Sequence, residues 1–201
     1  MSSVKSRREM YADATRAAIL QAATELFAER GYRGASLEDV AAQANVTRGA
    51  VYHHFSGKQA LFEEVVETVE EEAMQEVLAA ADASDPWDAG LQAVAAYLDK
   101  CCEPQYGRLV WIEGPAALGW QKWRECEEKY AYDVTQRFIA RLVEAGYLSA
   151  ESSLRTTSQF VFWMLGGAGL RLAETPEEDK PRLRDEWAAL MLEALSALRV
   201  D

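Results

Sequence analysis

Histidine is almost missing from this chain: 201 residues hold two, and they are neighbours, His53 and His54. Catalytic triads and histidine-rich metal sites have nothing to build on elsewhere, and no nucleophile elbow or phosphate loop appears, so no enzyme activity is expected. Cysteine is scarce and odd in number. Cys101, Cys102 and Cys126 lack metal-ligand spacing, and adjacent thiols point about 100° apart on a helix, so they read as reduced thiols with no metal and no cofactor. Long apolar runs are also lacking. The longest, Phe160 to Leu170, falls well short of the roughly 20 residues a bilayer span requires, so no membrane partner is expected. No apolar leader precedes the first helix, Met1 to Arg8 being polar and basic, and a cytoplasmic location is expected.

Cations are in the minority, 21 Lys and Arg against 33 Asp and Glu, for a net charge of −12. Their distribution is uneven. Residues 1–59 carry eight cations against six anions, whereas the remainder carries 13 against 27. This asymmetry suggests one end that faces a polyanion and an acidic body that is repelled by it. With five prolines and strong i, i+3, i+4 apolar spacing, the chain is expected to be all-α, with about nine helices.

The stretch SLEDVAAQANVTRGAVYHHFSGK, Ser36 to Lys58, is the most informative. Ser36 with Asp39 three residues on makes a capping box, starting a helix with Leu37, Val40, Ala41 and Ala44 inward. Asn45 suits the left-handed backbone that ends a helix, and Thr47 caps a second helix from Arg48 to about His54. Two short helices joined by so tight a turn form a helix-turn-helix. The second buries Val51 and Phe55 and gathers Thr47, Arg48, Tyr52 and His53 on other faces. Gly49 in its first turn costs about 1 kcal/mol relative to alanine, which points to close approach by another body. Arg48 offers the fork that matches guanine O6 and N7 in a major groove. Ser56 is read as a further cap, and Lys58 in the following first turn opposes the helix dipole unless a phosphate binds there.

From Thr15 to Phe62, with GYRGASLEDVAAQANVTRGAVYHHFSGKQALF at its heart, the chain resembles the DNA-binding domain of the TetR family of transcriptional regulators. The rest resembles the family only in length and helical layout. The resemblance implies base contacts from Thr47, Arg48 and Gly49, and phosphate contacts from Ser36, Tyr52, His53, His54 and Lys58. It implies a three-helix DNA-binding domain over residues 1–58 and an effector-binding and dimerisation domain over residues 59–201. It further implies a homodimer on palindromic double-stranded DNA, most often as a repressor released by a small molecule. A regulator without such an effector, controlled by a protein partner, is the alternative.

The arm ahead of the first helix, to about Ala12, either enters the minor groove through Lys5, Arg7 and Arg8 or is a solvated tail. The first helix is expected from about Asp13 to Arg30, stopped by Gly31. The fourth runs from Lys58 to about Ala81 with Leu61, Phe62, Val65, Val66, Val69, Ala73, Val77 and Leu78 inward. Its acidic face of Glu63, Glu64, Glu67, Glu70, Glu71, Glu72 and Glu76 reads as solvated. Pro86 opens a fifth helix, and Gly114 and Pro115 are expected to break a short sixth. In the body, Tyr97, Tyr106, Trp111, Trp120, Trp123, Tyr130, Phe160 and Trp163 are candidates to line a cavity for a hydrophobic or aromatic effector, or else plain core. The last two helices carry the association signal. Phe160, Met164, Gly167, Leu183, Trp187, Met191 and Leu195 are the expected interface with a second copy, the alternative being burial within one chain.

Overall fold

The computed structural model describes residues 7–200, with side chains from Glu9 onward. Lys5 of the basic arm lies outside the described residues, as do the side chains of Arg7 and Arg8. The described residues form nine helices divided between two compact units, one ending at Glu67 and one beginning at Thr68. The division falls inside the fourth helix rather than at its start, because the first turns of that helix complete the core of the smaller unit.

Helix α1, Arg7–Gly34, starts earlier than the sequence suggested. No proline or glycine interrupts the segment before Asp13, and Glu9 suits a helix N-terminus. Met10 and Tyr11 point to solvent, so no apolar stripe advertised this first part. Gly31, at φ 74° and ψ 167°, breaks the helix into a long arm and a short final turn. Helices α2, Leu37–Gln43, and α3, Arg48–His54, follow, with Asn45 at φ 54° in the turn between them. Ile19, Leu26 and Phe27 of α1 are buried together with Val40 of α2, Val51 of α3 and the adjoining Phe55. Helix α4, Lys58–Ala80, adds Leu61, Phe62 and Val65, with the Phe62 ring edge-on to Phe27 at 5.0 Å. The cap of α4 falls at Gly57, whose carbonyl accepts from Leu61 N at 3.0 Å, one residue beyond the expected Ser56.

In the larger unit, α5, Pro86–Cys102, is capped by Asp85, whose carboxylate accepts from the amides of Trp87 and Asp88 and from Tyr147 Oη. Helix α6 is composite: Pro104–Tyr106, a π-helical stretch Gly107–Glu113, and Gly114–Leu118. Gly114 and Pro115 therefore do not break it; Gly119, at φ 81°, does. In a π-helical pattern the Val110 carbonyl would look to the amide of residue 115, which proline lacks. The Trp123 indole N–H donates to that carbonyl instead, at 2.8 Å. Helix α7 is composite too, Trp120–Glu127, π-helical Glu128–Tyr132, and Asp133–Glu144. Helices α8, Leu154–Glu174, and α9, Lys180–Ser196, complete the unit.

Candidate nucleic-acid interface and body cavity

The capping box of α2 is closed on both sides. Asp39 N donates to Ser36 Oγ at 3.1 Å, and Ser36 N and Oγ donate to Asp39 Oδ2 at 3.0 and 2.6 Å. These bonds, followed by the charge of Arg30, hold the Asp39 carboxyl below its ordinary pKa. They also spend the Ser36 hydroxyl proton, so the role the structure gives Ser36 is to start α2. Thr47 caps α3 by accepting from Ala50 N at 3.2 Å. Helix α3 buries only Val51, and Arg48, Gly49, Tyr52 and His53 are exposed.

Arg48 is already engaged. Its Nη1 lies 2.6 Å from Glu38 Oε1 on α2, and its Nη2 donates to Tyr52 Oη at 3.3 Å. The tyrosine bond and the Glu38 charge hold its pKa above the ordinary arginine value. At Gly49 an added Cβ would meet only Thr47 Oγ1, at 3.8 Å, so nothing inside the chain requires a glycine there. His54 is half-buried with its ring 5.2 Å from that of His53. Lys58 Nζ sits 4.5 Å from the centroid of Tyr32, a cation–π contact that accounts for a cation at this helix start without a phosphate.

The larger unit holds a partly open cavity of about 70 Å³ with walls that are almost wholly apolar. Tyr97 and Trp111 line it, together with Met74, Trp87, Phe138 and Phe162, which the sequence did not single out. The other six candidates do not. Tyr106 is buried with its hydroxyl on Glu70, and Trp123 is buried with its N–H on Val110. Tyr130 is half-buried beside Lys129. Trp120, Phe160 and Trp163 are 58%, 54% and 42% exposed, with Trp120 stacked on Trp163 at 6.0 Å. Of the six only Tyr130 stands in a π-helical stretch, whose slipped side-chain register a 3.6-residue stripe cannot follow; Phe160 and Trp163 lie on the regular helix α8, on a face turned away from the cavity.

Residues 19–65 match the family model described as bacterial regulatory proteins, tetR family, and residues 87–196 match that of the tetracyclin repressor-like C-terminal domain. The chain belongs to the TetR family. The HTH-type transcriptional repressor BepR of Brucella suis biovar 1 (strain 1330) is 30% identical over 174 residues, 80% of this chain and 81% of that protein. The crystal structure of a TetR-family transcriptional regulator from Pectobacterium atrosepticum is similar at a TM-score of 0.82 and 32% identity, covering 98% of this chain and 99% of that one. As a TetR-family member the chain is a DNA-binding transcriptional regulator, and α2 and α3 are its helix-turn-helix.

For this TetR-family body, two sequence readings change. Met191 and Leu195 are buried within their own chain, Leu195 as part of the cavity wall, whereas Leu190 of the same helix is 55% exposed. Gly166 and Gly169 face Trp111 of the same chain: an added Cβ on Gly169 would lie 2.6 Å from Trp111 Cε2, so α8 is notched to seat that indole. Phe160 and Gly167 are exposed, and Met164, Leu183 and Trp187 are half-buried.

Sequence reasoning also missed Glu70. It was placed on the solvated face of α4, yet it is fully buried, while Leu78 turns outward. The signal was present, since Glu70 stands four residues after Val66 and four before Met74, on the apolar stripe. Glu127 is buried as well.

Proposed function

We propose that the protein is a homodimeric repressor that grips a palindromic operator with one α3 helix per subunit and releases it when a small molecule enters the body. Thr47, Arg48 and Gly49 meet base edges; Tyr52, His53, His54 and Lys58 meet phosphates. The observation that carries this reading is Gly49, exposed on the first turn of α3, costly to the helix and unexplained by any internal contact. A DNA base is the body whose close approach its missing side chain permits.

Release follows from α4, which is continuous from Lys58 beside the reading head to Ala80 and contributes Met74 and Val77 to the cavity wall. An effector that enlarges the cavity displaces α6 and α4 and alters the separation of two heads that must sit about 34 Å apart to enter successive major grooves. The ligand needs only to prefer one of two states. At about 70 Å³ the cavity holds roughly two waters, so the effector-bound state must be wider than the present one. The same small volume also suits the second reading, a regulator controlled by a protein partner.

The test is to sequence the genomic fragments that the purified protein retains at physiological salt, then add small-molecule fractions from the same cells. A shared palindrome released by a fraction of low mass supports the proposal. Arg48→Ala should weaken that site by about 5- to 150-fold and relax base choice at one position per half-site. Retention without a common sequence, or release only by a macromolecular fraction, would reject it.

A further inference from the structure

Next to the cavity lies a polar cluster that the proposed DNA reading does not use. Glu70 of α4 and Glu127 of α7 are fully buried, and they are accompanied by the buried Tyr97 and Cys101 of α5 and Tyr106 of α6. Tyr106 Oη donates to Glu70 Oε2 at 2.9 Å. Glu70 Oε1 and Glu127 Oε1 have no hydrogen-bond partner, nor has the indole N–H of Trp111, itself a cavity wall. Met74 and Ala131, each four residues beyond one of the carboxyls, also line the cavity. Both glutamates thus stand one helical turn from the wall, and both π-helical stretches bear on the same place, one carrying Trp111 and the other following Glu127 directly.

Two carboxyl groups in one apolar core are costly unless something compensates them. Burial, opposed by the Tyr106 hydrogen bond, raises Glu70, and burial followed by the Glu70 charge holds Glu127 well above the ordinary carboxylate range, so the unoccupied pair is uncharged at Glu127 until a cation draws its proton off; none of these groups is a cation. Tyr97, Tyr106 and Cys101 are held above their ordinary pKa values by burial, with the two glutamates among the further contributors. Among the described residues no group of three or more His, Cys, Asp or Glu is placed to hold a metal ion. The missing partner therefore has the chemistry of an organic ammonium group, whose several N–H donors satisfy two carboxylate oxygens at once, carried on an apolar body that fills the aromatic cavity.

We propose that the Glu70–Glu127 pair is the recognition point for the cationic amine of an aromatic or aliphatic effector, whose body enters between Tyr97 and Trp111. This rests on the body being an effector domain. Lipophilic neutral molecules would fill the cavity but leave both carboxyl oxygens unpaired, so charge selectivity comes from the pair and affinity for bulk from the walls. Protonation of Glu70, whose pKa burial raises to about 7, weakens the amine's hold below neutral pH.

The test uses the full chain and two matched probes, phenethylamine and its neutral counterpart 2-phenylethanol. Binding is read by tryptophan fluorescence and calorimetry. The amine is expected to bind at least tenfold more tightly than the alcohol at pH 8, with the preference shrinking towards pH 6. Glu70→Gln with Glu127→Gln should abolish the preference while sparing the alcohol. Should those variants not fold, the pH dependence of the unaltered protein still decides. Equal binding of the two probes at pH 8, binding of neither, or a preference untouched by both substitutions and pH overturns the proposal. Each sample is also scored for retention of the operator fragment. Probes that bind equally and both release DNA overturn amine recognition but leave the effector reading standing. An amine preference that the Gln variants lose, with operator retention unchanged throughout, supports the site and overturns the effector reading.

Discussion

Arg48 shows how a reading head is held before it reads. Its fork faces Glu38 and Tyr52, both exposed, so the side chain is ordered near the helix, and on the proposed reading it surrenders the Glu38 contact to reach a guanine. Replacing Glu38 with Gln should therefore tighten operator binding by about two- to fivefold without altering base preference, measured by fluorescence anisotropy at fixed salt. An unchanged affinity would mean that the pair is already open in solution. At Glu70 the sign runs the other way. Burial raises this carboxyl from 4.5 to about 7, so between those values the folded chain holds a proton that the unfolded chain has released. The stabilising contribution is full below pH 4.5 and is lost as pH rises through 7, a total on the order of 3 kcal/mol. Chemical denaturation at pH 5 and pH 8 should show Glu70→Gln more stable than the parent at pH 8 and close to it at pH 5. Equal differences at the two pH values would place the carboxyl's titration elsewhere. The Ser36–Asp39 box and the Thr47 cap were legible because caps and turns are local chemistry. Glu70 was not, because burial of a charge depends on partners that come from distant helices.

At the scale of elements, the breakers with local causes were read well. Gly31, Asn45, Thr47 and Pro86 all stand where the backbone changes direction, two of them at positive φ. The failures share one physical origin. Gly114 and Pro115 were taken as a break because the rescue of the Val110 carbonyl by Trp123 is tertiary. Tyr130, taken as a cavity candidate, stands in a π-helical stretch that a 3.6-residue period cannot register. Gly166 and Gly169 of α8 face the chain's own Trp111, a tertiary contact that local spacing does not show. Gly169→Ala should thus lower stability by about 1–2 kcal/mol, overpacking against the indole outweighing the gain in helix propensity. Gly167→Ala, with nothing within 4 Å, should stay within about 1 kcal/mol of the parent. Thermal unfolding followed by tryptophan fluorescence separates the two. A neutral Gly169→Ala would show that the indole is free to leave its notch.

At the scale of the whole molecule, the net charge of −12 and the modest cation surplus of residues 1–59 set how the protein meets DNA. On the proposed reading, binding depends on a few phosphate contacts against a repelled body, so affinity should fall steeply with salt and non-specific retention should be weak. The proposed reading adds a second copy, whose reading head doubles those contacts. The surface for it is the run Phe160, Trp163, Gly167 and Leu170, spaced three and four residues apart on one exposed face of α8, with Leu190 exposed on α9. A stable dimer buries about 800 Å² on each partner. A charge placed in the middle of that patch would be desolvated without a mate. Phe160→Glu and Leu190→Glu each alter a side chain that is more than half exposed, so helical content and the fold of the monomer should survive. Sedimentation should find monomers, and operator retention should fall to the non-specific level even though α3 is untouched. A dimer that persists in both variants would move the interface to another face. Monomers that still hold the palindrome would mean that one head suffices, and the two-headed reading would have to be abandoned.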